Sequence, residues 1–162
     1  MKSAVYPGSF DPVTIGHLDI IKRASAVFDK LYVVVMVNPK KTPMFSDAER
    51  VDMLKTVTAD LDNVEVLSYT GLLADCAREK EAKVIVKGLR AVSDYEYEFQ
   101  MALANRKLAP EIETVFMTTS AENMFLSSSV VKQISSFNGD ISGFVPPEVR
   151  ERISSRLVGK DD

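Results

Sequence analysis

A single histidine, His17, closes the segment YPGSFDPVTIGH at residues 6–17. The segment holds two glycines and two prolines, yet it follows the strand-like KSAV and precedes the helix-like LDIIKRASAVF. Gly8 and Gly16 permit tight turns and close approach of backbone to a ligand, while Pro7 and Pro12 stiffen the path. That path delivers His17 to the first turn of a helix. Amide groups without partners point outward there, and the helix dipole favours anions. A phosphate group suits such an end. The same dipole disfavours a charged imidazole, so a neutral His17 donating a hydrogen bond is expected.

Positive charge for an anion has to come from other segments. Lys40-Lys41 follows one apolar run, and Lys87 and Arg90 in VKGLRAV follow another. Ser127-Ser128-Ser129 precedes a helical stretch. Each feature also has a plain structural use: a helix start, solvated lysines, a turn glycine between surface charges, a serine N-cap. Neither G-x-x-x-x-G-K-[ST] nor G-x-G-x-x-G occurs. Only a fold that brings the four segments together makes them a site.

The elements predict such a fold. Apolar, β-branched runs occur at 3–6, 31–37, 63–68, 84–87 and 113–118, with helical patterns between them. Leu18, Ile21, Ala24 and Phe28 fall near one face of 17–28. Ser46-Asp47-Ala48-Glu49 is a capping box that opens a helix with Val51, Leu54 and Val57 inward. Ser93-Asp94-Tyr95-Glu96 reads as a second box, opening a helix to about Ala109. A short helix is expected from Ser127 to near Asn138-Gly139, and a last one from Pro146-Pro147. Alternation of this kind predicts a Rossmann-like, doubly wound α/β domain with a five-stranded, mostly parallel sheet and helices on both faces. Loops 6–17, 38–46, 87–93 and 118–129 then gather at the carboxyl ends of the strands, where such sheets bind ligands. In the helix at 94–109, Tyr95, Phe99, Ala102 and Leu103 lie on one face and Tyr97, Met101, Ala104 and Leu108 on the opposite one. One face is expected on the sheet and the other on a second subunit.

The chain has 162 residues, which suits one domain over 1–162 with a real core and a frayed end at 159–162. Apolar residues make up 46 %, and the net charge of −3 disfavours a nucleic-acid partner. The longest apolar run, LYVVVMV, is far short of the roughly 20 residues of a membrane span. The only cysteine, Cys76, excludes an internal disulfide, and with one histidine it excludes a Cys/His zinc site. Its neighbours Leu72, Leu73 and Ala77 suggest a packed thiol. A reducing cytoplasmic location is expected, since no basic-then-apolar leader is visible.

Thr14-Ile15-Gly16-His17 resembles the T/H-x-G-H motif of the nucleotidyltransferase superfamily. YPGSFDPVTIGH, KKTPMF, KGLRAVSDYEYE and SSSVVK, in this order, resemble the bacterial phosphopantetheine adenylyltransferase family over roughly residues 3–158. The resemblance implies transfer of the AMP moiety of ATP to 4′-phosphopantetheine, giving dephospho-coenzyme A and pyrophosphate in coenzyme A biosynthesis. It implies Mg²⁺ bound with the ATP phosphates, no metal ligands from protein side chains, and a homohexamer.

It also implies roles for particular residues. His17, Lys41 and Arg90 form the catalytic set. Ser9 stands between both substrates, where the family usually has threonine. Lys41 and Lys87 hold the acceptor phosphate, and Leu73 lines the pantetheine arm. Phe10, His17, Gly88, Leu89, Arg90, Glu98, Asn123, Met124, Phe125, Leu126, Ser127, Ser128 and Ser129 fall on the ATP side. Lys87 replaces the family's arginine and loses its bidentate fork. Asn123 stands where some members have tryptophan. Two other readings stay open at this level: a related nucleotidyltransferase using CTP or another phosphate acceptor, and a non-catalytic nucleotide-binding regulator.

Overall fold

The structure, a computed structural model, describes residues 1–158. The frayed end expected at 159–162 lies outside the described residues. Five strands form one sheet: β1 (Ser3–Gly8), β2 (Lys30–Val37), β3 (Val64–Thr70), β4 (Val84–Leu89) and β5 (Glu113–Thr118). Their order is β3-β2-β1-β4-β5, and every pairing is parallel. The helices are α1 (Ile15–Val27), α2 (Asp47–Val57), α3 (Leu73–Glu79), α4 (Val92–Leu108), α5 (Ser128–Ser136) and α6 (Arg150–Val158). A 3₁₀ turn, Pro147–Val149, carries the expected proline start and hands over to α6.

Strand alternation sorts the core into two layers. Ala4, Tyr6, Leu31, Val33, Val35 and Val86 face α1, α2, α5 and α6. Val5, Val34 and Ile85 face the other way, onto Ala74, Cys76 and Ala77 of α3 and onto Ala109 and Ile112. Val5, Val33, Val34, Val35 and Val86 are fully buried, which is why these strands read as unbroken apolar runs. The Cys76 thiol is buried with Ala77, while Leu72 is exposed. Burial, with lesser help from Glu79, pushes the thiol up to about 11, which makes it a packing group.

Strand order reverses between β1 and β4. These two strands pair only at Ala4↔Val84 and Val5↔Ile85 and then part. Beyond Val5, β1 continues against β2 alone, through Pro7↔Val34 and Gly8↔Val35. Pro7, with no N–H to give, falls in this one-sided stretch. β4 likewise continues against β5 alone, through Lys87↔Phe116, Gly88↔Met117 and Leu89↔Thr118. Lys87, Gly88 and Leu89 therefore belong to the strand and not to the loop after it.

Two expectations for α4 require correction. Ser93 is not an N-cap: the helix starts at Val92 on Ala91, with no side-chain cap. Asp94, in the first turn, pairs with Arg90 four residues earlier. The stripe turned toward the protein is Asp94, Glu98, Ala102 and Asn105, each partly buried, and no residue of α4 is fully buried. The helix is rotated so that Asp94 and Glu98 reach Arg90 and Lys87 at the end of β4. Both apolar faces are consequently open, with Tyr95, Tyr97, Phe99, Met101, Leu103 and Leu108 all exposed.

At the end of β1 the chain turns through Phe10, whose φ of 47° lies in the left-handed region. Its ring folds back beneath Gly8, where a Cβ would stand 2.9 Å from two ring carbons. Gly8→Ala must therefore displace a buried aromatic ring. The expected loss is about 1–3 kcal/mol in denaturant unfolding, and unchanged stability would show that the ring yields freely.

Candidate active site

His17 is placed by reciprocal capping. Thr14 is the N-cap of α1, and its Oγ1 accepts from the His17 amide at 3.2 Å. The imidazole occupies the position usually taken by Glu or Gln in a capping box: Nδ1 accepts from the Thr14 amide at 3.0 Å. An Nδ1 that accepts requires the proton on Nε2. Burial, and secondarily the Arg90 charge, bring the imidazole down to about 4. It is neutral near pH 7, as expected, but through burial and a neighbouring cation more than through the helix dipole. Phe10 packs edge-on against the ring at 5.0 Å and against Tyr6 at 5.5 Å.

The amides of the first turn are not all free. Ile15 N donates to the Phe144 carbonyl and His17 N to Thr14. Gly16 N has no such partner and lines a cavity of about 230 Å³. A Cβ at Gly16 would meet its neighbours at ordinary contact distance, so the glycine keeps the cavity open without relieving a clash. His17, Gly88, Arg90, Glu98, Asn123, Leu126, Ser127 and Ser128 line the same cavity. Arg90 is aimed from three sides: Asp94 accepts from Nε at 3.1 Å and Nη2 at 3.3 Å, and the Leu126 carbonyl from Nη1 at 3.0 Å. Lys87 Nζ lies 3.2 Å from Glu98 Oε2, a charge contact without an aligned hydrogen bond.

A second cavity, of about 560 Å³, adjoins the first at Ser128 and is lined by Ser9, Lys41, Ser128 and Ser129. It also holds three charged residues that the sequence did not single out: Asp11, Arg50 and Lys132. Asp11 ties loop 38–46 to the rest of the site. Its carboxylate accepts from the amides of Met44 and Phe45, both at 2.9 Å, and from Lys132 Nζ at 2.8 Å. Burial alone would raise this carboxyl, but Lys132 and the two amides outweigh it and hold it below the ordinary range. Arg156 of α6 clasps the same loop: it donates to the Met44 carbonyl at 3.2 Å, lies over the Phe45 ring and pairs with Glu49. At the front of the loop an Asx turn, Lys40 N to Asn38 Oδ1 at 3.0 Å, shapes the approach to Lys41.

Phe10, Leu73, Lys87, Leu89, Met124 and Phe125 lie outside these two cavities. Phe10 is buried beneath Gly8. Leu73 opens α3 and packs on the second core layer. Leu89 ends β4, and Lys87 adjoins the smaller cavity only through Glu98. Met124 and Phe125 are exposed, the latter edge-on to Phe144. Ser127 Oγ caps α5 by accepting from Val130 N, and Ser128 Oγ donates to the Pro12 carbonyl at 2.7 Å. Asp11 escaped notice because Asp-Pro reads as a turn. Arg50 and Lys132 escaped because an arginine or lysine inside an amphipathic helix reads as surface.

A crevice at the strand-order reversal, a histidine at a helix N-terminus and cations on neighbouring strand ends define a nucleotidyltransferase-type α/β fold. The family model described as Cytidylyltransferase-like matches residues 5–134. Crystal structures agree at the level of the fold. One from Vibrio parahaemolyticus superposes with a TM-score of 0.67 at 20 % identity, covering 98 % of this chain and 93 % of that one. A bifunctional NMN adenylyltransferase/ADP ribose pyrophosphatase from Francisella tularensis gives 0.71 at 16 % identity, over 98 % of this chain and 50 % of that one.

Curated relatives are far closer in sequence. The phosphopantetheine adenylyltransferase of Alkaliphilus metalliredigens is 56 % identical over 96 % of this chain and 99 % of its own. That of Clostridium tetani is 58 % identical over 99 % of this chain and all of its own. The chain belongs to the phosphopantetheine adenylyltransferase family.

The protonation of His17 has a direct readout, because the chain has no other histidine. Its NMR imidazole signals are expected to stay constant from pH 8 to near 5 and to titrate around 4. The unfolded chain takes up this proton near 6.5, so the native state binds fewer protons between about pH 4 and 6.5. The corresponding stability is fully present above 6.5 and is lost as pH falls toward 4. A titration midpoint near 6.5 would contradict the buried, neutral imidazole.

Proposed function

We propose that this enzyme transfers the AMP moiety of ATP to 4′-phosphopantetheine, releasing dephospho-coenzyme A and pyrophosphate as a step of coenzyme A biosynthesis. The observation that carries the reading is the neutral His17, pinned through Nδ1 with Nε2–H left as its only donor, in a cavity shared with Arg90. In the reaction, an acceptor phosphate oxygen forms a bond to the α-phosphorus of ATP. The bond from that phosphorus to the bridging oxygen of pyrophosphate breaks, and its electron pair leaves with pyrophosphate. The nucleophile is already anionic, so no general base is needed. The protein has to hold mutually repelling phosphates in line and stabilise charge on the α-phosphate oxygens.

His17 donates Nε2–H to an α-phosphate oxygen. Arg90, oriented by Asp94 and the Leu126 carbonyl, faces the nucleotide phosphates. Lys41 and Lys87 hold the acceptor phosphate, with Ser9 between the two substrates and Leu73 along the pantetheine arm. Gly88, Leu89, Glu98 and the stretch Asn123–Ser129 serve the ATP side; Phe10 acts by packing behind His17. Mg²⁺ accompanies ATP and neutralises phosphate charge. Among the described residues no group of three or more His, Cys, Asp or Glu could hold a metal ion. No described helix is long and apolar enough to cross a membrane; the cytoplasm, with its substrate pools, is the compartment this reading assigns.

Pyrophosphate release from ATP is expected to depend on 4′-phosphopantetheine and to fail with CTP. Equal release without that acceptor, or preference for CTP, would overturn the reading. His17→Ala is expected to lower kcat and kcat/KM together by about a hundredfold to a thousandfold, with ATP affinity little changed. Normal turnover in a destabilised variant would instead leave His17 as only a helix cap.

We further infer that the open faces of α4 are covered by other copies of the chain, as a homohexamer. An exposed set of seven large apolar side chains on one helix supports this. α6 packs on α5 instead and is tied to α2 by the Arg152–Asp52 and Arg156–Glu49 ion pairs. A hexameric mass by light scattering at micromolar concentration is expected; a monomer would overturn it.

A further inference from the structure

Arg50 lies on the first turns of α2, is only 4 % exposed, and lines the larger cavity. Two of its nitrogens are used by the protein. Nη1 donates to the Ser9 carbonyl at 2.8 Å and Nε to the Ser46 carbonyl at 3.3 Å. Both acceptors are neutral, and Nη2 has no partner among the described residues. None of the ion pairs among the described residues includes Arg50. The nearby acids are occupied or out of reach. Asp11 is held by Lys132 and two amides, and Glu49 by the Ser46 amide and Arg156. Asp47 lines the cavity but makes no ion pair with Arg50.

A buried guanidinium without a counter-charge is costly, and a tie between two carbonyls does not require a charge at all. The shortfall is met if the missing anion arrives with a ligand. Around the cavity stand Lys41 and the Ser128 and Ser129 end of α5, groups that suit a phosphoryl oxygen. Arginine also offers the fork geometry that phosphate favours. We propose that Arg50 is an anion-binding residue of the larger cavity and that Nη2 receives a phosphoryl group, either the acceptor phosphate or the departing pyrophosphate. Through Nη1 the same side chain grips the Ser9–Phe10 turn. Arrival of the anion thus fixes the guanidinium that holds Ser9. The proposal rests on the reading of this cavity as a phosphate site.

The test measures equilibrium binding of inorganic pyrophosphate and of 4′-phosphopantetheine, separately, by calorimetry to the wild-type chain, Arg50→Lys and Arg50→Gln. Loss of a charge-assisted bond predicts roughly tenfold to hundredfold weaker binding of one probe in Arg50→Gln. A smaller loss is expected in Arg50→Lys, which keeps charge without the fork. Weakened pyrophosphate assigns the residue to the leaving group, and weakened 4′-phosphopantetheine assigns it to the acceptor; either outcome supports the proposal. Both probes binding both folded variants as tightly as wild type overturns it and leaves the adenylyltransferase reading intact. A wild-type chain that binds neither probe overturns the phosphate reading of the cavity itself. Should neither variant fold, ¹⁵N guanidinium signals of Arg50 in the wild type decide: a shift on saturation supports the proposal, and unmoved signals overturn it.

Discussion

The parting of β1 and β4 after two paired positions is the constraint on which the rest of the site depends. Parallel strands joined by right-handed crossovers must reverse their order somewhere in the sheet if helices are to cover both faces. Here the reversal falls between β1 and β4, and hydrogen bonding across it ends at Val5 and Ile85. Tyr6 and Gly88 then face a gap instead of a ladder. The gap receives the N-terminus of α1, and with it His17. A Cβ at Gly88 would meet Ile20 of α1 at 3.4 Å, an ordinary contact, so α1 already lies directly behind the crevice.

An acidic protein has built a cationic site by pairing. Lys132 is held by Asp11, Arg90 by Asp94, and Lys87 by Glu98. Each carboxylate aims its partner before any ligand is present, so less reorganisation accompanies charge development on phosphate. The cost is partial neutralisation of each cation, and among the described residues Lys41 and Arg50 form no such pair. His17 completes the pattern from the other direction: burial and a neighbouring guanidinium keep it uncharged, so it contributes a directed hydrogen bond without adding to the charge.

Loop 38–46 shows how the two cavities are kept in register. Asp11 belongs to the segment that leads to His17, and it anchors the main chain just beyond Lys41. Arg156 grips the same short stretch from α6, and Glu49, its partner, also closes the capping box of α2. The loop that carries Lys41 is thus tied to the histidine segment and to the C-terminal helix by the same few bonds.

Local rules in the sequence reached a long way. Unbroken valine runs marked buried parallel strands, since a strand covered on both faces has no reason to alternate. The Ser46–Glu49 box formed as expected because both of its hydrogen bonds close within one turn. Cys76 was legible as packing from its apolar neighbours. His17 at a helix start was legible because its glycines and prolines act within a few residues. The second box at Ser93 failed for the same kind of reason. The helix begins before Ser93, at Val92 on Ala91, which puts Ser93 inside the first turn, and the i,i+4 pair Arg90–Asp94 spans that start. The rotation of α4, the burial of Arg50 and the Asp11–Lys132 pair, across 121 positions, left no local signature. A charged residue on a helix reads as solvated until another element covers it. The sequence by itself determined the strands, the helices and the segment that carries the histidine. Only the tertiary structure decided which face of each helix turns inward and which charges meet, because those choices are made by contacts between residues far apart in the chain.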